Sequence, residues 1–189
     1  MKPLHVILAA IAATSLFVVA AETIEKLPAP WIVSGALPEA YTTGIDHTQT
    51  ISGKGAKFIR YAQGDQTKWA TIMQVIKAEN YVGQRIRFVA KIKTKDVDSW
   101  AGLWMRIDTP KQHSAAFYNS QDKPIKGTNN WQERSVVLDV PTDASAIAFG
   151  VIDGGKGQVW IDDLRLEIVD KNVPVDHMVQ HDLAEKPSL

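Results

Sequence analysis

The chain contains no cysteine. That excludes a disulfide framework, a thiolate zinc site, an iron–sulfur cluster and a cysteine nucleophile. It has no excess charge of either sign, since 21 Lys+Arg face 21 Asp+Glu. No overall basic field therefore exists to hold a phosphate backbone, and nucleic acid is not an expected partner. Catalytic signatures are missing too: there is no His-Glu-x-x-His, no Gly-x-Ser-x-Gly elbow and no Asp-x-Asp-x-Asp-Gly calcium loop. Lys54 and Lys156 sit in glycine-rich turns, but each is followed by Gly where a phosphate loop needs Ser or Thr. The expectation is a non-enzymatic protein whose 189 residues, 45% of them hydrophobic, form one ordinary domain resting on its apolar core.

What is present begins with an address. Lys2 precedes an apolar run from Val6 through Val19, and small residues Ala20 and Ala21 come before the polar Glu22 and Thr23. Charge, apolar run and small residues in that order read as a Sec-type signal peptide over residues 1–21, with a membrane anchor as the alternative. Export to the periplasm or the medium follows, and nothing after the signal is apolar for long enough to span a membrane.

From Ala29 onward the hydrophobic pattern has period two. In the segment from Arg85 to Lys93, Ile86, Phe88, Ala90 and Ile92 point one way and mostly basic residues the other. Similar runs occupy residues 57–61, 71–77, 100–108, 115–118, 134–140, 146–153 and 158–169. Glycine-containing turns between them supply residues that tolerate positive φ. Eight strands or slightly more predict an all-β fold of two packed antiparallel sheets over residues 30–170, after a linker at 22–29 and before a flexible tail at 171–189. The predicted inner layer is Ile86, Phe88, Leu103, Met105, Leu138, Phe149, Trp160 and Leu166.

Three segments look like a known pattern: residues 100–108 (WAGLWMRID), 123–131 (KPIKGTNNW) and 155–163 (GKGQVWIDD). They resemble the galactose-binding-like jelly-roll domains of bacteria, which are similar to carbohydrate-binding modules and also occur fused to secreted peptidases and transcription regulators. The resemblance extends over nearly all of the chain after the signal and implies a two-sheet jelly roll. It departs at Tyr118-Asn119-Ser120-Gln121-Asp122, where relatives carry an Asp-Asn-Met-like segment.

Alternation on residues 100–108 sends Ala101, Leu103, Met105 and Ile107 to the core and leaves Trp100, Gly102, Trp104, Arg106 and Asp108 on the opposite face. Two indoles beside a cation and a carboxylate suit a sugar or another small polar ligand, because rings stack on apolar sugar faces and charged groups bind hydroxyls. The competing reading is a packed polar network under a loop. Gln74 either finds partners within its own strand's surroundings or projects into that cleft; Asn119 in the departing loop and Trp131 at a strand end complete the candidate ligand-binding set. Asp162, beside Asp163, is a candidate ligand for a structural calcium, with strand-end hydrogen bonding as the alternative. His177 and His181 stand four apart in the tail. The leading function is an exported, non-catalytic binding module for carbohydrate or a small polar ligand; the alternatives are an envelope protein-interaction module and a hydrolase without a recognisable motif. No oligomeric state is implied.

Overall fold

The computed structural model describes residues 24–178. The signal segment at 1–21, the first two residues of the linker, and the end of the tail from 179 with His181 lie outside the described residues. Nine strands are present among the described residues: β1 (Ile32–Gly35), β2 (Tyr41–Asp46), β3 (Ala56–Tyr61), β4 (Trp69–Lys77), β5 (Arg85–Asp108), β6 (Ala116–Tyr118), β7 (Ile125–Asp139), β8 (Ala146–Gly154) and β9 (Gln158–Val169). All their pairings are antiparallel.

β5 organises the molecule. Its first half pairs with β7 and β9, and its second half with β8 and β6. The strand thus passes from one sheet into the other. The front sheet runs β1-β4-β8-β5-β6, and the back sheet runs β7-β5-β9-β3-β2. Sequence alone suggests two separate strands here, 85–93 and 100–108, with the mostly polar run Thr94 to Ser99 between them. Pairing continues through it: Thr94 and Val97 are buried, and Thr94 Oγ1 donates to the Gly127 carbonyl. The direction changes where the β7 register shifts and Asp96 adopts a φ of 54°, the local signature of a bulge that re-aims a strand.

The layer between the sheets contains Ile86, Phe88, Leu103, Met105, Leu138 and Phe149, all buried, with Leu166 packed at its margin. Trp160 does not belong to it. Its neighbours Val159 and Ile161 take the inward positions, so Trp160 lies on the outer face of the back sheet with Ala56, Phe58 and Trp131. Both faces of β9 are apolar there, and period two alone does not say which one is inside. The C-terminal segment also departs from expectation. Residues 171–178 are not free of the sandwich: the Asp176 carboxylate accepts from Val137 N–H, Asp176 N–H donates to the Val137 carbonyl, and Val175 packs against the core. At the other end Glu25 bridges to Ile45.

One inward position carries a carboxyl. Asp153 on β8 stands between Ala70 and Ala101, is 0% exposed, and neither of its oxygens has a hydrogen-bond partner. Burial, helped by the negative charge of Asp98, pushes it up to about 8, so the group is mainly neutral at pH 7. Tyr41 nearby is committed to the carbonyls of Lys68 and Gly155.

Two outcomes are expected. Phe88→Ala removes a fully buried ring and should cost about 3–5 kcal/mol in a denaturant titration; an unchanged midpoint would refute this core. For Asp153, the folded form holds a proton that the unfolded form releases near its ordinary value of 3.8, so stability should fall as pH rises from about 4 towards 8 and level off above. Asp153→Asn should remove that slope, which melting curves across the range would show.

Candidate functional site

The outward residues of the front sheet form a cleft on its open face. β8 offers small side chains there, Ala148, Gly150 and Gly154, alternating with the core residues Ile147, Phe149, Val151 and Asp153. Larger side chains of the flanking strands spread over this low central strand. Trp104 stands opposite Gly150, and Trp100 opposite Gly154, with Trp69 of β4 on the far side of Gly154. A Cβ on Gly154 would come within 2.6 Å of the Trp100 indole nitrogen, so glycine is what lets that ring lie close to the sheet. At Gly150 the clash would be with the backbone of β4.

The floor is fixed by a short relay. Trp104 Nε1–H donates to Thr71 Oγ1 at 2.7 Å, and the Thr71 hydroxyl donates to the Val151 carbonyl at 2.8 Å. Trp104 is therefore only 5% exposed, packed with Met73, Ala148, Ile152 and partly with Phe117 and Trp100. Trp69 differs from it in being 40% exposed. It stands as a wall over the floor.

Arg106 supplies the polar end. Its Nε and one terminal nitrogen donate to the Asp108 carboxylate at 2.9–3.1 Å, and the guanidinium lies 6.0 Å from the Trp104 ring centroid. Asp108 also accepts from Ser114 N–H at 2.9 Å, which ties the 109–115 loop to the same strand. Burial of Asp108 opposes its ionisation, but the Arg106 and Ser114 hydrogen bonds outweigh it and hold the carboxyl below the usual range. The guanidinium is thus clamped on one edge with its remaining N–H groups free of that clamp. The resulting cleft has a volume of about 240 Å³, lined by Ser34, Trp69, Thr71, Met73, Trp104, Arg106, Ser114, Phe117 and Ile152.

The structure brings Trp100, Trp104, Arg106 and Asp108 to this one face and separates the other candidates from it. Gln74 lies opposite Phe149, on the inward-facing row of β4 with Ile72 and Ile76, and so does not enter the cleft. Asn119 closes its own turn, accepting from Gln121 N–H at 3.1 Å, outside the cleft lining. Trp131 sits on the other sheet beside Trp160. His177 is exposed on the docked C-terminal segment.

Asp162 latches a loop. Its Oδ2 accepts from Ile51 N–H at 2.7 Å and Ser52 N–H at 3.0 Å, and its Oδ1 accepts from Asp163 N–H at 2.8 Å. Donor hydrogens occupy the lone pairs that a calcium ion would need, and no group of three or more metal-binding side chains occurs among the described residues. These residues do not fit a calcium site.

Sequence reasoning placed the loop from Phe117 to Asp122 near this face, and Phe117 does line the cleft, but it passed over Thr71, Met73 and Ser114. A signal for the cleft was nevertheless present in Ala148, Gly150 and Gly154: small residues on one face of a central strand leave room that neighbouring side chains or a ligand must fill.

The fold is a two-sheet jelly roll, shared with carbohydrate-binding modules. No family model matches the chain. A family 22 carbohydrate-binding module joined to a family 10 catalytic module in endo-1,4-β-D-xylanase 10B of Clostridium thermocellum, solved with xylohexaose, superposes with a TM-score of 0.55 at 12% identity, covering 78% of this chain and 27% of that one. A family 30 carbohydrate-binding module superposes with a TM-score of 0.52 at 13% identity, covering 77% and 96%. In sequence, the chain is 40% identical over 151 residues to an uncharacterised HTH-type transcriptional regulator, YbfP, of Bacillus subtilis (strain 168). That match covers 79% of this chain but spans only 51% of the regulator's length.

Thr71→Val should leave the buried Trp104 N–H without its acceptor and cost about 1–3 kcal/mol. Combined with Trp104→Phe the loss should be less than the sum of the two single losses, as chemical denaturation of the four proteins of the cycle would show.

Proposed function

We propose that the front-sheet cleft binds carbohydrate and does so without catalysis. The observation that carries this reading is the pairing of a half-exposed indole wall, Trp69, and an apolar floor with a clamped guanidinium at one end. A sugar ring presents the same division, an apolar face with hydroxyls around its edge. The fold shared with carbohydrate-binding modules supports the reading. Glycosidic cleavage in most hydrolases uses two opposed carboxyl groups, whereas no carboxylate among the described residues lines this cleft and Asp108 beside it is tied to Arg106 and Ser114. Residues 1–21 would direct this module out of the cell.

A second reading has an observation in its favour. Ile32, opposite Met73, is 46% exposed and Val75 is 40% exposed on the same outer face, which would also suit a protein partner. The two readings separate experimentally. A glycan-array screen of the protein should return a saccharide whose affinity falls at least about tenfold, or 1.4 kcal/mol, in both Trp69→Ala and Arg106→Ala, with the β-sheet circular dichroism unchanged. Glycan binding insensitive to both substitutions, or no glycan binding at all, would contradict the proposal.

A further inference from the structure

The outer face of the back sheet divides its charges unevenly. Towards the β7–β9 ends every basic side chain is matched: Arg85 with Asp139, Arg87 with Glu167, Lys91 with Glu133, and Arg165 with Glu133, Asp163 and Glu167. Further along the same face, Lys93, Lys95 and Arg60 have no carboxylate within ion-pair distance among the described residues. Register sets them close together. Lys95, Gln158 and Arg60 form one row across three strands, and Lys93, Trp160 and Phe58 form the next. Two strand spacings put the Lys95 and Arg60 backbones about 10 Å apart, and two residues along β5 put Lys93 and Lys95 about 7 Å apart.

The patch is supported from beneath. The Lys93 ammonium lies 5.8 Å from the Trp160 ring centroid and donates to Gln49 Oε1 at 2.7 Å; the Arg60 guanidinium lies 5.7 Å from the Phe58 centroid. Trp160 is held in turn by its N–H to Asp46 at 2.9 Å. The loop carrying Gln49 is the one that Asp162 latches, so the latch also builds a wall here. Two depressions, of about 520 Å³ and 250 Å³, meet at Gln158. The nearby carboxylates have other engagements: Asp96 accepts from Thr128 Oγ1, Asp46 from Trp160 and Thr48, and Glu25 faces His47.

We propose that this end of the back sheet is a second binding site, for an acidic polysaccharide, with Arg60, Lys93 and Lys95 meeting its negative groups and Gln158, Gln49 and Thr128 its hydroxyls. Unpaired cations on neighbouring rows of one sheet face repel one another, and a chain bearing regularly spaced anions relieves that repulsion. Nucleic acid fits less well. Single strands need exposed rings on which bases stack, and Trp160 is only 6% exposed beneath the cations.

The test titrates the full protein with oligogalacturonate, with its methyl ester and with a DNA oligonucleotide of equal charge at fixed ionic strength. Wild type should bind the acid at least about tenfold more tightly than the ester or the DNA, and added salt should weaken binding. Arg60→Gln/Lys93→Gln/Lys95→Gln should lose at least about tenfold, and the exposed single change Lys95→Glu should weaken binding without altering the melting temperature. Removing as many charges elsewhere, Lys77→Gln/Lys111→Gln/Lys123→Gln, should change affinity less than about twofold. No binding of oligogalacturonate, equal loss in the two triple variants, or DNA bound as tightly as the acid would each overturn the proposal.

Discussion

A single strand hydrogen-bonded into both sheets fixes the rest of this molecule. Because β5 runs for 24 residues through the back sheet and then the front one, its inward row supplies core to both layers: Ile86, Phe88, Ala90 and Ile92 from one half, Ala101, Leu103, Met105 and Ile107 from the other. Its outward row is then equally constrained. Arg87, Lys91, Lys93 and Lys95 must emerge on the back, and Trp100, Trp104, Arg106 and Asp108 on the front. A one-residue slip in either half would exchange these sets and bury charge in the core, so the register that protects the core also composes both outer surfaces.

The two outer faces solve different problems. On the front, the small residues of β8 lower the centre of the sheet, and side chains from either side close over it, burying Trp104 and leaving Trp69 exposed as a wall. On the back, the loop latched by Asp162 rises over Phe58 and Trp160 and leaves a cationic shelf beside it. Overall neutrality conceals this second arrangement, since the compensating carboxylates stand elsewhere on the same sheet. Net charge therefore excludes a field around the whole molecule and says little about one face of it.

How much was legible in the sequence follows from the same geometry. Period two revealed the strands and the inward row wherever one face was wet, as at Ile86 and Phe88 or Leu103 and Met105. It failed at Trp160, where both faces of β9 are apolar, and at Thr94 to Ser99, where a mostly polar run continues a strand because its partners lie far away in the chain. The residues of the cleft that share β5 could be found by alternation alone. Thr71, Met73 and Ser114 could not, because cross-strand register brings them there and a single sequence does not display register. Gln74 was ambiguous for a related reason: its row was readable, but whether that row faced inward was not. Asp162 resembled a metal ligand by residue type, and its role as an acceptor emerged only once the loop at Ile51 and Ser52 was seen against it.

The central claim is the proposal that the front cleft receives an uncharged sugar against its Trp69 wall, a ligand distinct from the acidic chain proposed for the back sheet. Indole N–H resonances in a two-dimensional NMR titration with xylohexaose and with galacto-oligosaccharides address it most directly, since five of the six tryptophans are distributed over the two outer faces and Trp31 packs against the core between them. The account predicts that a saccharide shifts the Trp69 resonance foremost, and that of Trp104 beneath it, while those of Trp131 and Trp160 stay in place. Shifts confined to Trp131 and Trp160 would contradict it.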